Sequence, residues 1–194
     1  YFPQRRVFEE QGGLSSPRAR GALAATRLSG YPAAYSGGMT DGELSRTLEL
    51  FSMRTDQGNT ESGSPPCNDG GTASLARGCF VIYQQLKVAR SHHEMLATYG
   101  GTEMLIIGGY TNVPKTTVTD SIERFRRDSD TGTVLEELGQ LPFGGGELAA
   151  HPVPDISGGR GGTASYLVTG GFTGMSLNNG AARIKESARA ADTP

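Results

Sequence analysis

The chain has 194 residues, of which 36% are hydrophobic and 29 are Gly, and it carries 18 Lys and Arg against 20 Asp and Glu. This length fits a single domain, and the abundant Gly favours many short strands joined by tight turns over a helical bundle. The net charge of -2 gives no reason to expect a nucleic-acid partner, and no apolar run approaches the roughly 18 residues that span a bilayer.

The first part of the chain predicts a series of short strands, and one of them ends in a glycine doublet. We predict these strands over residues 7–11, 22–26, 31–36 and 48–51. The doublet Gly37-Gly38 follows the third of them and precedes Met39 and Thr40. Paired glycines at a strand end suit a place where two backbones approach too closely for a Cβ atom.

A segment rich in Gly, Ser and Pro, residues 59–78, predicts a long surface loop that contains Cys67 and is followed by Cys79. A disulfide between these two cysteines would stabilise the fold by about 3 kcal/mol in the chain-entropy model. It would also indicate an oxidising compartment, so that the chain would be extracellular, periplasmic or at a cell surface. The alternative is two separate thiols, with which a cytoplasmic location is compatible.

The strand series then repeats. We predict further strands over residues 79–86, 94–99, 103–107, 122–125, 133–141, 148–152 and 164–169. Two of them end in doublets that are followed by an aromatic residue, in place of Met39, and again by Thr, as Gly108-Gly109-Tyr110-Thr111 and Gly170-Gly171-Phe172-Thr173. Glu49 and Phe51 in the first unit recur as Glu123 and Phe125 in the second. The last segment, residues 175–194, is predicted to be an extension with a short helix over 180–189 or an irregular tail.

The joint spacing of the doublet, the Glu-x-Phe strand, the turn at Asp130 and the following Leu resembles the kelch repeat of β-propellers, over roughly residues 6 to 174. The resemblance implies an all-β fold with about three blades of four antiparallel strands. Closed propellers have four to eight blades. The resemblance therefore leaves three alternatives: a fragment of a larger propeller, with Tyr1 in place of an initiating Met, a ring completed by a further copy, or irregular strands supplied by the tail after Gly174.

The function that the resemblance implies is a non-catalytic protein-interaction or assembly module, whose partner is another protein or further copies of the same propeller. In kelch proteins the loop before the first strand and the loop after the doublet share one face of the disc. By resemblance, seven residues would line that face here: Arg18, Arg20, Arg90, His92, Tyr110, Asn112 and Phe172. For Arg18 and Arg90 the alternative is that they hydrogen-bond carbonyl groups between blades.

Two other functions remain open: a fragment of a propeller enzyme, carbohydrate-active or similar to a copper oxidase, and a structural subunit of a large extracellular assembly.

The sequence offers no strong signal for a catalytic group, a cofactor or a metal. His92 and His93 are adjacent, and neighbours on a strand point to opposite faces, so they do not share a metal ion. Asp128 and Asp130 alternate as in a calcium loop, but Asp130 matches the turn residue Asp56 of the previous unit, which favours a hairpin. No nucleophile elbow, zinc-protease motif or phosphate-binding loop is present.

Overall fold

A computed structural model describes residues 14–52, 79–98, 100–128, 132–153 and 165–185, and within these ranges the chain contains strands and no helix. The strands are β1 (Ala22–Leu28), β2 (Tyr31–Ser36), β3 (Met39–Thr40), β4 (Glu43–Leu44), β5 (Thr47–Ser52), β6 (Cys79–Gln85), β7 (Glu94–Ala97), β8 (Glu103–Ile107), β9 (Ser121–Asp128), β10 (Gly132–Gln140), β11 (Ala149–Val153), β12 (Ser165–Thr169) and β13 (Ala181–Lys185). The prediction of an all-β fold is confirmed.

The strands form three successive antiparallel sheets and one small hairpin. The first sheet has the order β1-β2-β5-β6, the second β7-β8-β9-β10 and the third β11-β12-β13. The hairpin β3–β4 interrupts the first sheet, and its turn at Asp41 and Gly42 has positive φ at both residues. This hairpin was not predicted from the sequence. Each sheet is a simple meander, because every strand pairs with the next long strand of the chain. The described residues form these three sheets and no closed ring.

Some predicted features lie outside the described residues. They are the strand over 7–11, the whole loop over 59–78 with Cys67, and the turn residues Asp56 and Asp130. The Cys67–Cys79 disulfide and the compartment inferred from it therefore stay predictions. Cys79 itself is buried at the start of β6.

The expectation of a short helix over residues 180–189 is wrong for its described part, because Ala181–Lys185 forms the strand β13. β13 pairs with β12 along its whole length, from Thr169 opposite Ala181 to Ser165 opposite Lys185. Ile184 packs into the core between the second and third sheets, and Ala182 lies against that core. The edge of β12 thus offers a ladder of hydrogen bonds and an apolar surface, which outweigh the helix propensity of the Ala-rich segment.

The second sheet lies between the other two, and its side chains alternate between two cores. Met104 and Ile106 of β8 pack against the first sheet, in a cluster that includes Ala34 and Leu50. Leu105 and Ile107, the alternate residues of the same strand, pack with Tyr166 and Val168 of the third sheet. Both faces of β8 are therefore buried, which explains why it is an uninterrupted apolar run. The first strands of the sheets also lie together, since β7 contacts β1 on one side and β11 on the other.

The glycine doublets end β2, β8 and β12, and in all three both glycines have positive φ, from 57° to 107°. In the first two doublets the following sheet also fills the space that a Cβ atom would need. A Cβ on Gly37 would lie 2.5 Å from the carbonyl oxygen of Arg90, and one on Gly108 would lie 2.6 Å from that of Gly145. These glycines are thus required by both the backbone conformation and the packing of neighbouring sheets.

We expect Gly37→Ala to lower the free energy of unfolding by about 2–4 kcal/mol, because it combines a left-handed Ala with a clash against a backbone carbonyl. Gly42→Ala is the matched control. Gly42 has φ of 83° but no atom within 4 Å of an added Cβ, so only the conformational cost of about 1–2 kcal/mol remains. Urea denaturation followed by circular dichroism measures both. Equal losses for the two variants would contradict the close approach of the sheets at Gly37.

Candidate functional site

The loops after the doublets and the segments before the first strands meet at one end of the three sheets. The residue after each doublet forms an isolated bridge with a residue just before the first strand of the same sheet: Met39 with Ala19, Tyr110 with Ser91, and Phe172 with Gly146. We call this end, made of residues 18–21, 37–46, 90–93, 108–120, 145–148 and 170–180, the loop face. All seven predicted partner-binding residues belong to its segments.

A row of three residues crosses the loop face from sheet to sheet. Arg20, His92 and Glu147 occupy the same position in successive sheets, and each has a left-handed backbone with φ of 62°, 50° and 57°. The His92 N–H donates to the Arg20 carbonyl at 2.8 Å, and the Glu147 N–H donates to the His92 carbonyl at 2.7 Å. Non-glycine residues adopt this conformation rarely and at a cost. Its recurrence at three equivalent positions shows that the same backbone link joins each sheet to the next.

Arg90 is buried beneath the loop face and forms an ion pair with Glu123 of β9. Its guanidinium also donates to the carbonyl of Gly108 and to the hydroxyl of Ser121, both at 2.8 Å. Glu123 accepts in addition the N–H of Lys87 at 2.8 Å and that of Val88 at 3.3 Å. Both side chains are fully buried. The pair therefore ties the segment before β7 to the centre of its own sheet.

The first sheet repeats this arrangement with Arg18 and Glu49. Arg18 forms an ion pair with Glu49, and both side chains are almost fully buried. Arg18 also donates to the Ser45 hydroxyl at 2.8 Å, while Glu49 accepts the N–H of Ser15 at 3.0 Å. The alternative for Arg18 and Arg90 was a hydrogen bond to a carbonyl group between blades. Among the described residues Arg90 instead bonds the Gly108 carbonyl of its own sheet, and Arg18 bonds the side chains of Ser45 and Glu49. Both guanidinium groups are turned into the protein.

The third sheet lacks both members of the pair. The N–H of the first glycine in each doublet donates to the carbonyl of Thr47, Ser121 or Gly180, which aligns the third strands of the three sheets. In this alignment Glu49 and Glu123 correspond to Ala182, and Arg18 and Arg90 correspond to Gly145. The carboxylate and the guanidinium are absent together. This joint absence is what a buried ion pair requires, since either charge alone would be uncompensated.

Tyr110 is a buried support for the groups above it. Its ring lies edge-on to that of His92, with the centroids 5.6 Å apart, and Lys115 Nζ lies 5.6 Å from the Tyr110 centroid. Lys115 Nζ is 3.4 Å from Glu147 Oε1, and His92 Nε2 is 4.0 Å from the same oxygen. Burial and the neighbouring charges of Lys115 and Arg20 lower the pKa of His92. The neutral imidazole is thus favoured at the loop face.

Asn112 organises the loop between β8 and β9. Its Oδ1 accepts the N–H groups of Thr116 and Thr117 at 3.0 and 2.8 Å, and its Nδ2 donates to the Thr116 hydroxyl. The loop between β12 and β13 packs on it, because a Cβ on Gly174 would lie 2.5 Å from the Thr116 carbonyl oxygen. Asn112 therefore fixes the shape of the surface, and its amide is used within the loop.

The most exposed apolar side chains of the loop face lie on these two loops. Met175 is 90% exposed, Leu177 78%, Val113 45% and Phe172 40%. Of these, only Phe172 was predicted from the sequence. For Met175 and Leu177 the sequence did contain an indication of exposure. Both are apolar residues in a turn-rich segment, Gly174-Met175-Ser176-Leu177-Asn178, and such loop segments lie at the surface and not in the core.

Of the predicted partner-binding residues, Arg20, His92, Asn112 and Phe172 reach the surface of the loop face, and Arg18, Arg90 and Tyr110 have buried side chains. Within the described ranges no three His, Cys, Asp or Glu side chains are grouped to hold a metal ion. Nor does any helix there have the length and apolar character to cross a membrane.

His93 is buried between the first and second sheets. Its Nε2 lies 2.7 Å from the Ser36 hydroxyl at the end of β2, and its Nδ1 has no hydrogen-bond partner. Burial, with the nearby charges of Arg90 and His92, lowers its pKa to about 3. The histidine pair is thus divided, with His92 at the loop face and His93 in the core, and the two do not share a ligand.

No protein-family model matches this chain, and no curated protein matches it either.

Proposed function

We propose that the chain is a run of kelch-type propeller blades and that its loop face binds another protein. Three observations support the propeller arrangement: each sheet is a meander whose first strand lies beside those of its neighbours, the second sheet packs on both of its faces, and the same backbone link joins successive sheets. In a propeller this arrangement places the first strands nearest the axis and the loop face on one side of the disc.

The observation that carries the binding proposal is the exposure of Met175, Leu177, Phe172 and Val113 on two loops that contact each other. Contiguous exposed apolar side chains on a soluble protein mark interaction sites. Arg20, Lys115 and Glu147 lie on the same face and supply a polar border, as is usual around the apolar centre of an interface. The partner would therefore present an apolar patch with charged groups at its edge.

A photo-reactive phenylalanine analogue placed at Met175 tests this proposal. We expect it to cross-link one specific protein of the source cell, because Met175 is the most exposed apolar residue of the loop face. The same analogue at Lys185 is the matched control, since Lys185 is exposed at the opposite end of the same sheet.

The cross-linked partner, once identified by mass spectrometry, is then titrated against the chain. The double variant Phe172→Ala/Leu177→Ala should weaken binding by about tenfold or more, as expected for apolar residues near the centre of an interface. Equal cross-linking from positions 175 and 185, or unchanged affinity of the double variant, would contradict the proposal.

A further inference from the structure

We propose that Met175 is a site of reversible oxidation, and that conversion of its thioether to a sulfoxide weakens the binding of the partner to the loop face. The oxidant is a peroxide, either hydrogen peroxide or an organic hydroperoxide. This inference rests on the protein-binding loop face proposed above and adds a means of regulating it.

Met175 differs from the other described methionines in its access to solvent. It is 90% exposed, whereas Met95 is 3% exposed and Met104 is fully buried in the core between the first and second sheets. Met39 lies in the hairpin β3–β4 and is partly buried. A dissolved peroxide must reach the sulfur atom before it can react. Met175 is therefore the described methionine that we expect to be oxidised first.

The loop that carries Met175 is held in place without the methionine side chain. Thr173 N–H donates to the Ser176 carbonyl at 2.9 Å across the tip of the loop. Gly174 has φ of 97°, and its Cα packs so closely on the neighbouring loop that an added Cβ would lie 2.5 Å from the Thr116 carbonyl oxygen. Oxidation of Met175 leaves both contacts intact, so it changes the surface and not the fold.

The oxidation step balances with peroxide alone. A lone pair of the Met175 sulfur attacks one oxygen of hydrogen peroxide, the S–O bond forms as the O–O bond breaks, and the other oxygen leaves as water. The sulfur loses two electrons and the peroxide gains them. In the reverse direction two thiol groups become a disulfide and the sulfoxide oxygen leaves as water, which is the reaction of the methionine sulfoxide reductases. The modification is therefore reversible.

The sulfoxide would place a polar acceptor in the apolar part of the loop face. Met175 belongs to the same loop as Phe172 and Leu177, which are 40% and 78% exposed. A partner that covers these side chains with an apolar patch would also take the sulfoxide oxygen out of water. Burying a polar group without a hydrogen bond is unfavourable, so the oxidised surface binds an apolar patch less tightly.

The polar side chains on either side of Met175 already have partners. The hydroxyl groups of Thr173 and Ser176 lie 2.8 Å apart, and Thr173 Oγ1 also donates to the Ser176 carbonyl at 3.3 Å. Asn178 Nδ2 donates to the Gly144 carbonyl at 3.4 Å. The sulfoxide oxygen would therefore take its hydrogen bonds from water, and a partner with an apolar surface would have to displace that water.

Peptide mass spectrometry of the chain after treatment with hydrogen peroxide tests the site of oxidation. We expect Met175 to gain one oxygen as fast in the folded chain as in the chain unfolded in urea. Met95 and Met104 should react at least about tenfold more slowly in the folded chain than in urea, because their sulfur atoms become accessible only when the core opens. The far-ultraviolet circular dichroism should not change once Met175 has reacted. Oxidation of Met95 or Met104 in the folded chain as fast as Met175 would overturn the inference.

A titration with the partner identified by cross-linking tests the effect on binding. The chain alone is treated with peroxide, and the peroxide is removed with catalase before the partner is added. We expect the oxidised chain to bind about tenfold or more weakly. A methionine sulfoxide reductase with dithiothreitol should restore the affinity.

Met175→Leu is the matched control, because it keeps an apolar side chain at this position and removes the sulfur, while every other methionine remains. Peroxide should leave the affinity of this variant, whatever its value, unchanged. Equal affinity of the oxidised and untreated wild-type chains would overturn the inference. So would a loss of affinity when Met175→Leu is treated with peroxide.

The double variant Phe172→Ala/Leu177→Ala distinguishes failure of the regulation from failure of the loop-face proposal. If the double variant binds weakly and the oxidised chain binds normally, the regulation is wrong and the loop-face proposal stands. If the double variant binds normally, or if no protein cross-links at position 175, the loop-face proposal is wrong and the regulation falls with it. Selective oxidation of Met175 in the mass spectra would then remain as a chemical property of the chain alone.

Discussion

Arg90→Met is expected to lower the free energy of unfolding by about 3–5 kcal/mol, because it leaves the Glu123 carboxylate buried without its counter-ion. Glu123 would keep only the N–H groups of Lys87 and Val88, and the Gly108 carbonyl would lose its guanidinium donor. Equilibrium unfolding in urea measures the loss. Arg124→Met is the matched control on the neighbouring residue of β9. Its ion pair with Glu136 is partly exposed, so we expect a loss below about 1 kcal/mol.

A double-mutant cycle separates the ion pair from the packing around it. Arg90→Met/Glu123→Gln removes both charges, and the Gln side chain can still accept the N–H groups of Lys87 and Val88. We expect the double variant to be more stable than Arg90→Met alone. The third sheet has neither charged residue, because Gly145 and Ala182 occupy these positions, so the fold does not require the pair. Losses that simply add would show that the two side chains act independently.

Acidification from pH 6.5 to about 3 is expected to destabilise the wild-type protein through His93. Its pKa in the folded state is about 3, whereas a His in the unfolded chain has a pKa near 6.5. Below pH 6.5 the unfolded chain therefore binds a proton that the folded chain excludes. The stability contributed by the neutral imidazole is complete above pH 6.5 and is lost towards pH 3, with a slope of up to about 1.4 kcal/mol per pH unit.

His93→Gln isolates this contribution from that of the carboxylates. The Gln amide can reach the Ser36 hydroxyl as Nε2 does, but it does not titrate. Unfolding at several pH values should show a shallower loss for His93→Gln than for the wild type over this range. His151→Gln is the control, because His151 is exposed on β11, and it should leave the slope unchanged. Parallel curves for the wild type and His93→Gln would contradict the assignment.

The strands of the three sheets could be predicted because each glycine doublet marks the same position in its unit. Once Gly37, Gly108 and Gly170 are aligned, the strands before and after them follow from alternation and turn residues, and the boundaries of β2 and β8 agree with the predicted ranges. The strand β13 was missed because an Ala- and Arg-rich segment has helix propensity when read alone. Its strand conformation comes from pairing with β12, a contact that composition does not encode.

The candidate site could likewise be predicted only in part. Sequence position placed Arg18 and Arg90 in equivalent loops, but it did not indicate that their side chains turn inward. The sequence did contain an indication of the ion pairs. Arg18 occurs with Glu49 and Arg90 with Glu123, whereas the third unit has neither the Arg nor the Glu. The exposure of Met175 and Leu177 depends on how two loops pack, and the turn-rich sequence around them indicates a loop without determining that packing.

The row of Arg20, His92 and Glu147 has a consequence for how this surface can diversify. The links along it use only main-chain N–H and C=O groups, so the side chain at each position is not needed to join the sheets. A cation, an imidazole and a carboxylate occupy three geometrically equivalent places as a result. Substitutions at this position can therefore change the chemical character of the surface, one sheet at a time, while the architecture beneath it stays constant.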